Sequence, residues 1–389
     1  MTTLQDHSTQ RFDTAEYRTR VSAYQELMRE RGVGLYLGSS PEQLNYLSGF
    51  DPLGLYFFQK LFLPVDADAP TLLTHKCESE LARTSCWIDD VRIWRHGEDP
   101  MERTFALLRE FGVSEDVVVG LDMDSWYLKV ATVEALRRRL PHVRFVDVTD
   151  LGLEQRMVKS PAEVAYMRQA AQLADLAFET AVRTIRPGVR ENDVLGAIQM
   201  DLAAAGSEYP ALPFIIGAGA RSGLFHPLPT ENVIVEGDPV MLELTGVKAR
   251  YNSNIVRTVV AGSASAELKE LRAIVKEAFD RGVEAIQPGA PVGEVDRITR
   301  EVRQEYADFI PSRSGFGMEL AYPPVWLGRP DLLEGDPHLF EPGMVVSLEP
   351  SVAQYHGMTM IYGSNILVTD DGHEVLHQTP EDLFELPIG

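Results

Sequence analysis

Two carboxylates stand where apolar strands leave little reason for one. In EGDPVMLELTGVKARYNSNIVRTVVAG the stretch Val240–Leu244 is apolar except for Glu243. In FEPGMVVSLEPSV a Pro342-Gly343 turn leads into an apolar run that ends at Glu349, followed by Pro350. A carboxylate within an apolar strand is costly unless it has a partner or a task. His226 lies in the Pro-bounded segment Phe225-His226-Pro227-Leu228-Pro229, after an apolar strand and a glycine-rich turn. Two carboxylates and a histidine suit general acid–base chemistry. Plainer readings exist for two of them: Glu243 on the solvent face of an edge strand, and His226 as a structural loop residue. Asn252, Asn254 and Arg257 follow on the second arm of the expected hairpin. Glu319, Tyr322, Trp326 and Arg329 gather in a glycine- and proline-rich stretch before Glu349.

Other chemistries find no motif. Gly217-Ala218-Gly219 does not open a helix, so it is no dinucleotide fingerprint, and no P-loop, HExxH or nucleophile elbow occurs. His373 and His377 follow an Asp-Asp-Gly turn and are expected to be exposed hairpin residues. Cys77 and Cys86 are the only cysteines, too few for a disulfide framework or a zinc site, and are expected to be reduced thiols.

The formal net charge of −22 argues against nucleic acid or an anionic membrane as partner. No apolar run approaches the roughly 18 residues of a membrane helix. The polar start, MTTLQDHSTQRFDTAEY, lacks the apolar core of a secretory signal. A cytoplasmic protein acting on a small molecule is expected.

At 389 residues the chain is long for one core. Residues 1–16 read as a flexible arm and Glu16–Arg31 as a helix. Gly32–Phe50 reads as strand, turn and helix, and Leu55–Val65 as a buried strand. PTLLTH, DVRIW, VVVGLDM and RFVDV follow as strands alternating with helices, which defines an α/β domain over residues 1–152. A second domain, 153–389, opens with Ser160-Pro161-Ala162-Glu163, a helix start with its capping pair. Within it Ala177-Phe178-Glu179 leads to Pro187-Gly188, and Ala278-Phe279-Asp280 leads to Pro288-Gly289. The offset from Ala177 to Ala278 is 101 residues, which indicates a duplicated α+β unit with a pocket between its halves.

From about Glu16 onward the chain resembles the pita-bread hydrolases: creatinase, aminopeptidase P, prolidase and methionine aminopeptidase. The resemblance rests on VKSPAEVAYMRQAA, FHPLP, EGDPVML, NIVRT, FEPGMVVSLEP and ILVTDDG. It implies a creatinase-like α/β N-terminal domain followed by a duplicated pita-bread α+β domain. Metallopeptidases of this family carry two Asp, one His and two Glu as metal ligands. The matching positions here hold Glu243, Asn254, Phe316, Glu349 and Gly363, so the resemblance implies a site without metal or other cofactor. LELTGVKARY and SGFGMELAYPPVWLG look closest to the metal-free ectoine hydrolase branch. The glutamate that creatinase carries before the Arg-Thr pair is Val256 here.

These resemblances imply hydrolysis of a C–N bond in a small amidine or guanidino compound. Glu243 and Glu349 would hold the planar cation, and His226 would take and return the proton of the attacking water. Asn254, Arg257, Glu319, Tyr322, Trp326 and Arg329 are candidate substrate contacts, with Arg329 or Lys60 for a substrate carboxylate. The family's cross-subunit sites imply a homodimer in which Tyr56, Gln59 or Lys60 reaches the partner's site. Two alternatives stand beside this reading: an Xaa-Pro dipeptidase-like metallopeptidase, and a catalytically inactive binding protein on the same fold.

Overall fold

The computed structural model describes residues 9–310, 312–380 and 384–387. The chain divides into two compact units, Met1–Gln155 and Arg156–Gly389. The domain boundary expected from sequence, between Gly152 and Leu153, falls within a helix that runs from Thr149 to Met157. Of the arm expected over residues 1–16, residues 1–8 lie outside the described residues. The first helix then starts within the expected arm, because the Asp13 side chain accepts from Glu16 N and caps it.

The N-terminal unit comprises α1 (Thr14–Glu30), β1 (Leu35–Gly38), α2 (Pro41–Ser48), β2 (Lys60–Pro64), β3 (Thr71–His75), α3 (Ser79–Ser85), β4 (Val91–Trp94), α4 (Pro100–Glu110), β5 (Val118–Leu121), α5 (Val130–Arg139), β6 (Arg144–Asp147) and α6 (Thr149–Met157). Its sheet has the order β4-β3-β2-β1-β5-β6. β2 runs antiparallel to both β1 and β3, and the outer pairs are parallel. The strand expected over Leu55–Val65 begins only at Lys60. Before it the chain turns, with Phe57 N donating to Gly54 O at 2.9 Å and Gln59 Nε2 to the same oxygen at 2.7 Å. That turn leaves Tyr56 78% exposed.

The C-terminal unit comprises α7 (Pro161–Thr184), α8 (Glu191–Ala204), β7 (Ile215–Ala218), β8 (Pro239–Lys248), β9 (Tyr251–Ala261), α9 (Ala266–Ala285), α10 (Val292–Val302), β10 (Gly315–Met318), β11 (Leu327–Leu332), β12 (Val345–Leu348), β13 (Ser351–Tyr355), β14 (Met358–Thr369), β15 (Gly372–Val375) and β16 (Glu385–Leu386). Ser160 and Glu163 close the capping box of α7 as the sequence predicts. The main sheet path is β11-β10-β12-β14-β9-β8-β7.

The duplication is physical. α7 and α8 precede one group of strands, and α9 and α10 precede the other. Gly188 and Gly289 both take positive φ, 89° and 80°. Gly188 N donates to Ile234 O, and Gly289 N to Phe340 O. Phe178 and Val194 enter one core, with Leu242, Leu244 and Ile255; Phe279 and Val295 enter the other, with Val346 and Leu348. The two cores are separate clusters, one per half.

Strand alternation decides what faces where. On β8, Val240, Leu242 and Leu244 pack into the core under α7 and α8. Met241 and Glu243 point to the opposite face, where Met241 packs with Ile215, Val256 and Ile361.

β8 lies so close to α7 that a Cβ on Gly246 would sit 2.1 Å from Ala170 O. Backbone on both sides leaves little to yield. Gly246→Ala is therefore expected to destabilise the protein by roughly 1–3 kcal/mol or more, read as a lowered urea midpoint at unchanged m-value.

Candidate active site

Three strands bring the two carboxylates together. Glu243 sits mid-β8, paired with Ile215 on β7 and Val256 on β9, so it is on an interior strand and not an edge. Glu349 lies just past β12, where its backbone N donates to Ser314 O at 2.8 Å. Asn254 on β9 stands between them: its Nδ2 donates to Glu243 Oε1 and to Glu349 Oε2, each at 3.3 Å. Ser347 Oγ donates to the same Glu349 oxygen at 3.3 Å. Asn254 is wholly buried and Glu243 nearly so.

The electrostatics follow from this burial. Desolvation raises Glu243 to about 7, against the opposing hydrogen bond from Asn254. Glu349 is raised well above the ordinary carboxyl value, by burial first and then by the neighbouring Glu243. Around neutral pH the pair is therefore poised to hold a proton unless a cation enters.

The cavity beside them has a volume of about 390 Å³. Glu243, Glu349, His226 and Trp326 all line it. The rest of its wall is mostly apolar, with Leu212, Phe225, Met241, Phe316 and Ile361. His226 is exposed at its mouth, its ring against Phe225 at 4.9 Å between centroids.

The other expected contacts lie elsewhere. Arg257 faces away from the carboxylates: its Nη1 donates to Val256 O and Gly363 O, and its guanidinium stacks 3.7 Å from the Tyr362 ring centre. It lines a second cavity of about 470 Å³ together with Tyr362, Ser364 and His377. Glu319 is buried in an ion pair with Arg156 at 3.0 Å. Tyr322 is fully buried, 5.7 Å from the Arg250 guanidinium, and Arg329 is exposed on β11. None of these four lines the carboxylate cavity. Tyr56, Gln59 and Lys60 line a cavity of about 460 Å³ within the N-terminal unit, with Trp126 and Tyr127. There Lys60 Nζ donates to Ser39 Oγ at 2.6 Å, and burial lowers its pKa to about 8.

Sequence reasoning missed the polar residues behind Asn254. Asn365 Nδ2 donates to Asn254 Oδ1 at 2.9 Å, and Ser253 Oγ to Asn365 Oδ1 at 2.6 Å. The signal was present in β14, where Ser364-Asn365 interrupts an apolar strand. His377, expected on an exposed hairpin, is 6% exposed, because its ring packs against Ser253, Ser364 and the Asn365 backbone.

A buried carboxylate pair within a duplicated α+β unit, preceded in sequence by an α/β domain, defines the class. The profile of metallopeptidase family M24 matches residues 165–370, and that of the creatinase/prolidase N-terminal domain matches residues 20–158. The chain belongs to family M24 and is a hydrolase of that family. It is 26% identical to the ectoine hydrolase of Halomonas elongata over 96% of this chain and 98% of that one. It is 28% identical to an Xaa-Pro dipeptidase of Pyrococcus furiosus over 94% and 99%. The Xaa-Pro dipeptidase structure from Bacillus anthracis superposes with a TM-score of 0.84 at 26% identity, covering 95% and 99% of the two chains.

A metallopeptidase family raises the matter of a metal, and the donor set here does not fit a dinuclear centre. Phe316 offers no donor atom. Gly363 offers none either, and a Cβ there would meet Glu349 Cβ at 2.7 Å. Asn254 turns N–H groups, not an oxygen, toward both carboxylates. Among the described residues no group of three or more His, Cys, Asp or Glu converges. Two cations held on oxygen and imidazole would need those donors.

Both carboxyls have folded pKa values above the ordinary 4.5. The folded protein thus binds more protons than the unfolded chain from pH 4.5 up through about 7, and stability falls as pH rises through that window. In Glu349→Gln the fall is expected to flatten. Melting temperatures of the two proteins between pH 5 and pH 8 check this; parallel curves would refute the assigned burial of the pair.

Proposed function

We propose that this protein is a metal-independent hydrolase of a C–N bond in a small amidine or guanidino compound, of the kind an ectoine hydrolase opens. The observation that carries the reading is the pair Glu243 and Glu349, joined through Asn254 at the end of a largely apolar cavity. An amidinium is planar, cationic and a multiple N–H donor. It satisfies two carboxylates by charge-assisted hydrogen bonds and offsets the cost of ionising them in an apolar wall. Trp326, Phe316 and Phe225 supply flat apolar surface for the rest of a small ring.

The chemistry then needs one water. Its oxygen adds to the amidine carbon as His226 takes its proton. The C–N bond breaks, the proton goes to the departing nitrogen, and an amide and an amine result. Such proton transfer contributes about 10²–10⁴-fold. Tyr56, Gln59 and Lys60 are proposed to serve a partner's site in a homodimer, with Lys60 toward a substrate carboxylate. Small-molecule chemistry of this kind suits a cytoplasmic enzyme, in keeping with an acidic chain none of whose described helices is long and apolar enough to cross a membrane.

A peptidase reading rests on the 28% identity to an Xaa-Pro dipeptidase. Metal analysis of the purified protein, with ectoine, creatine and an Xaa-Pro dipeptide as substrates, separates the two. The amidine reading expects less than about 0.1 metal per chain and turnover that survives chelation, since its donors lack a metallopeptidase set. Stoichiometric metal with dipeptide hydrolysis lost on chelation would overturn it. Glu349→Gln should lower turnover about 100-fold or more. A mere binding protein on this fold would show ligand affinity without turnover, before and after that change.

A further inference from the structure

The β9–β14 ladder is short, Arg257 with Tyr362 and Val256 with Gly363. Beyond it the join continues through buried side chains, and their hydrogen bonds have a definite direction. The Asn365 backbone N–H must donate, and it points at His377 Nδ1 at 3.3 Å. Ser364 Oγ lies 2.8 Å from the same nitrogen. Nδ1 is thus the acceptor, and a neutral ring then carries its proton on Nε2. Burial, helped by the Arg257 charge, lowers the His377 pKa to about 3, so the ring is neutral at physiological pH.

Nε2–H faces Ser253 Oγ at 3.2 Å. Having accepted there, Ser253 donates its own proton to Asn365 Oδ1 at 2.6 Å. With that oxygen engaged, the Asn365 amide presents Nδ2 to Asn254 Oδ1 at 2.9 Å. The Asn254 oxygen is engaged in turn, and its Nδ2 donates to Glu243 and Glu349. An amide's oxygen and nitrogen are told apart by their partners. Here a backbone N–H at the far end settles both. Turning either amide over would set donor against donor and leave a buried hydroxyl proton without an acceptor, at a cost comparable to a lost hydrogen bond. Ser253, Asn254 and Asn365 are all wholly buried, so water does not relieve that conflict.

We propose that His377, through Ser253 and Asn365, is the positioning residue that locks the Asn254 amide with its N–H face on the two carboxylates. His377 touches neither carboxylate and lines a different cavity from theirs. It acts by making one amide orientation the only one compatible with every neighbour. This relay rules out an oxygen of Asn254 in the carboxylate site, and it keeps the two carboxylates aligned on one donor. The kinetic consequence rests on the amidine-hydrolase reading; the lock itself does not.

The test has two arms. In full-length protein without substrate, side-chain ¹⁵N NMR of labelled His and Asn should show His377 as the neutral Nε2–H tautomer from pH 5 to pH 8. It should also show the Asn254 amide protons hydrogen-bonded and slow to exchange. Ser253→Ala, which cuts the relay with little change of volume, and His377→Leu should both broaden or lose those amide signals. His377→Gln, with one acceptor and one donor, should keep them. Thermal unfolding shows that each variant is folded, and Ser253→Ala decides if His377→Leu is not. A cationic or Nδ1–H ring at pH 7, or Asn254 signals unmoved in folded Ser253→Ala, overturns the proposal. In the second arm, amidine turnover by Ser253→Ala and His377→Leu should drop about tenfold or more in kcat/KM, the worth of one buried hydrogen bond, with His377→Gln near wild type. Wild-type protein inert toward amidines with its NMR signature intact would sink the functional reading and leave the lock standing.

Discussion

Everything in the C-terminal unit answers to one constraint: two carboxyl groups buried side by side against apolar walls. Such groups repel when ionised and lose hydration that the interior does not replace. Asn254 relieves part of this by giving each carboxylate a hydrogen bond, and Ser347 gives Glu349 another. The remainder is met by a shared proton or, on the proposed reading, by a cationic substrate.

The fold supplies the rigidity that this arrangement needs. Each half has its own apolar core under its own helix pair, and the carboxylates come from different halves, Glu243 from β8 and Glu349 from the residue just past β12. A residue on a paired strand holds its side chain more closely than one on a loop. His226, which would move a proton, is instead in a loop at the cavity mouth, where solvent has access.

The N-terminal unit carries its own polar feature within an apolar wall. Lys60 is buried on Ser39, and Asp122 beside it accepts from the Ser39 and Ser40 backbone N–H groups. Burial holds the lysine below its ordinary pKa and raises the aspartate. Exposed Tyr56 and Trp126 border the same cavity.

The sequence alone determined much of this. Short apolar runs bounded by turn residues marked the strands, and the Ser160 cap marked the entry to the second domain, because local spacing decides local structure. The offset between Phe178 and Phe279 disclosed the duplication, since each copy had to build the same turn and core. Glu243 and Glu349 stood out because a charge in an apolar strand has no local excuse. What only the tertiary structure decided was which polar residues converge. Arg257, Glu319, Tyr322 and Arg329 have site-like surroundings in sequence, yet strand direction or a buried partner takes each away from the cavity. Asn365 marks a polar break in an apolar strand and His377 looks ordinary, yet nothing local joins them; the relay forms because hydrogen bonds between distant strands depend on register and facing. Those quantities exist only once the two halves are folded against each other.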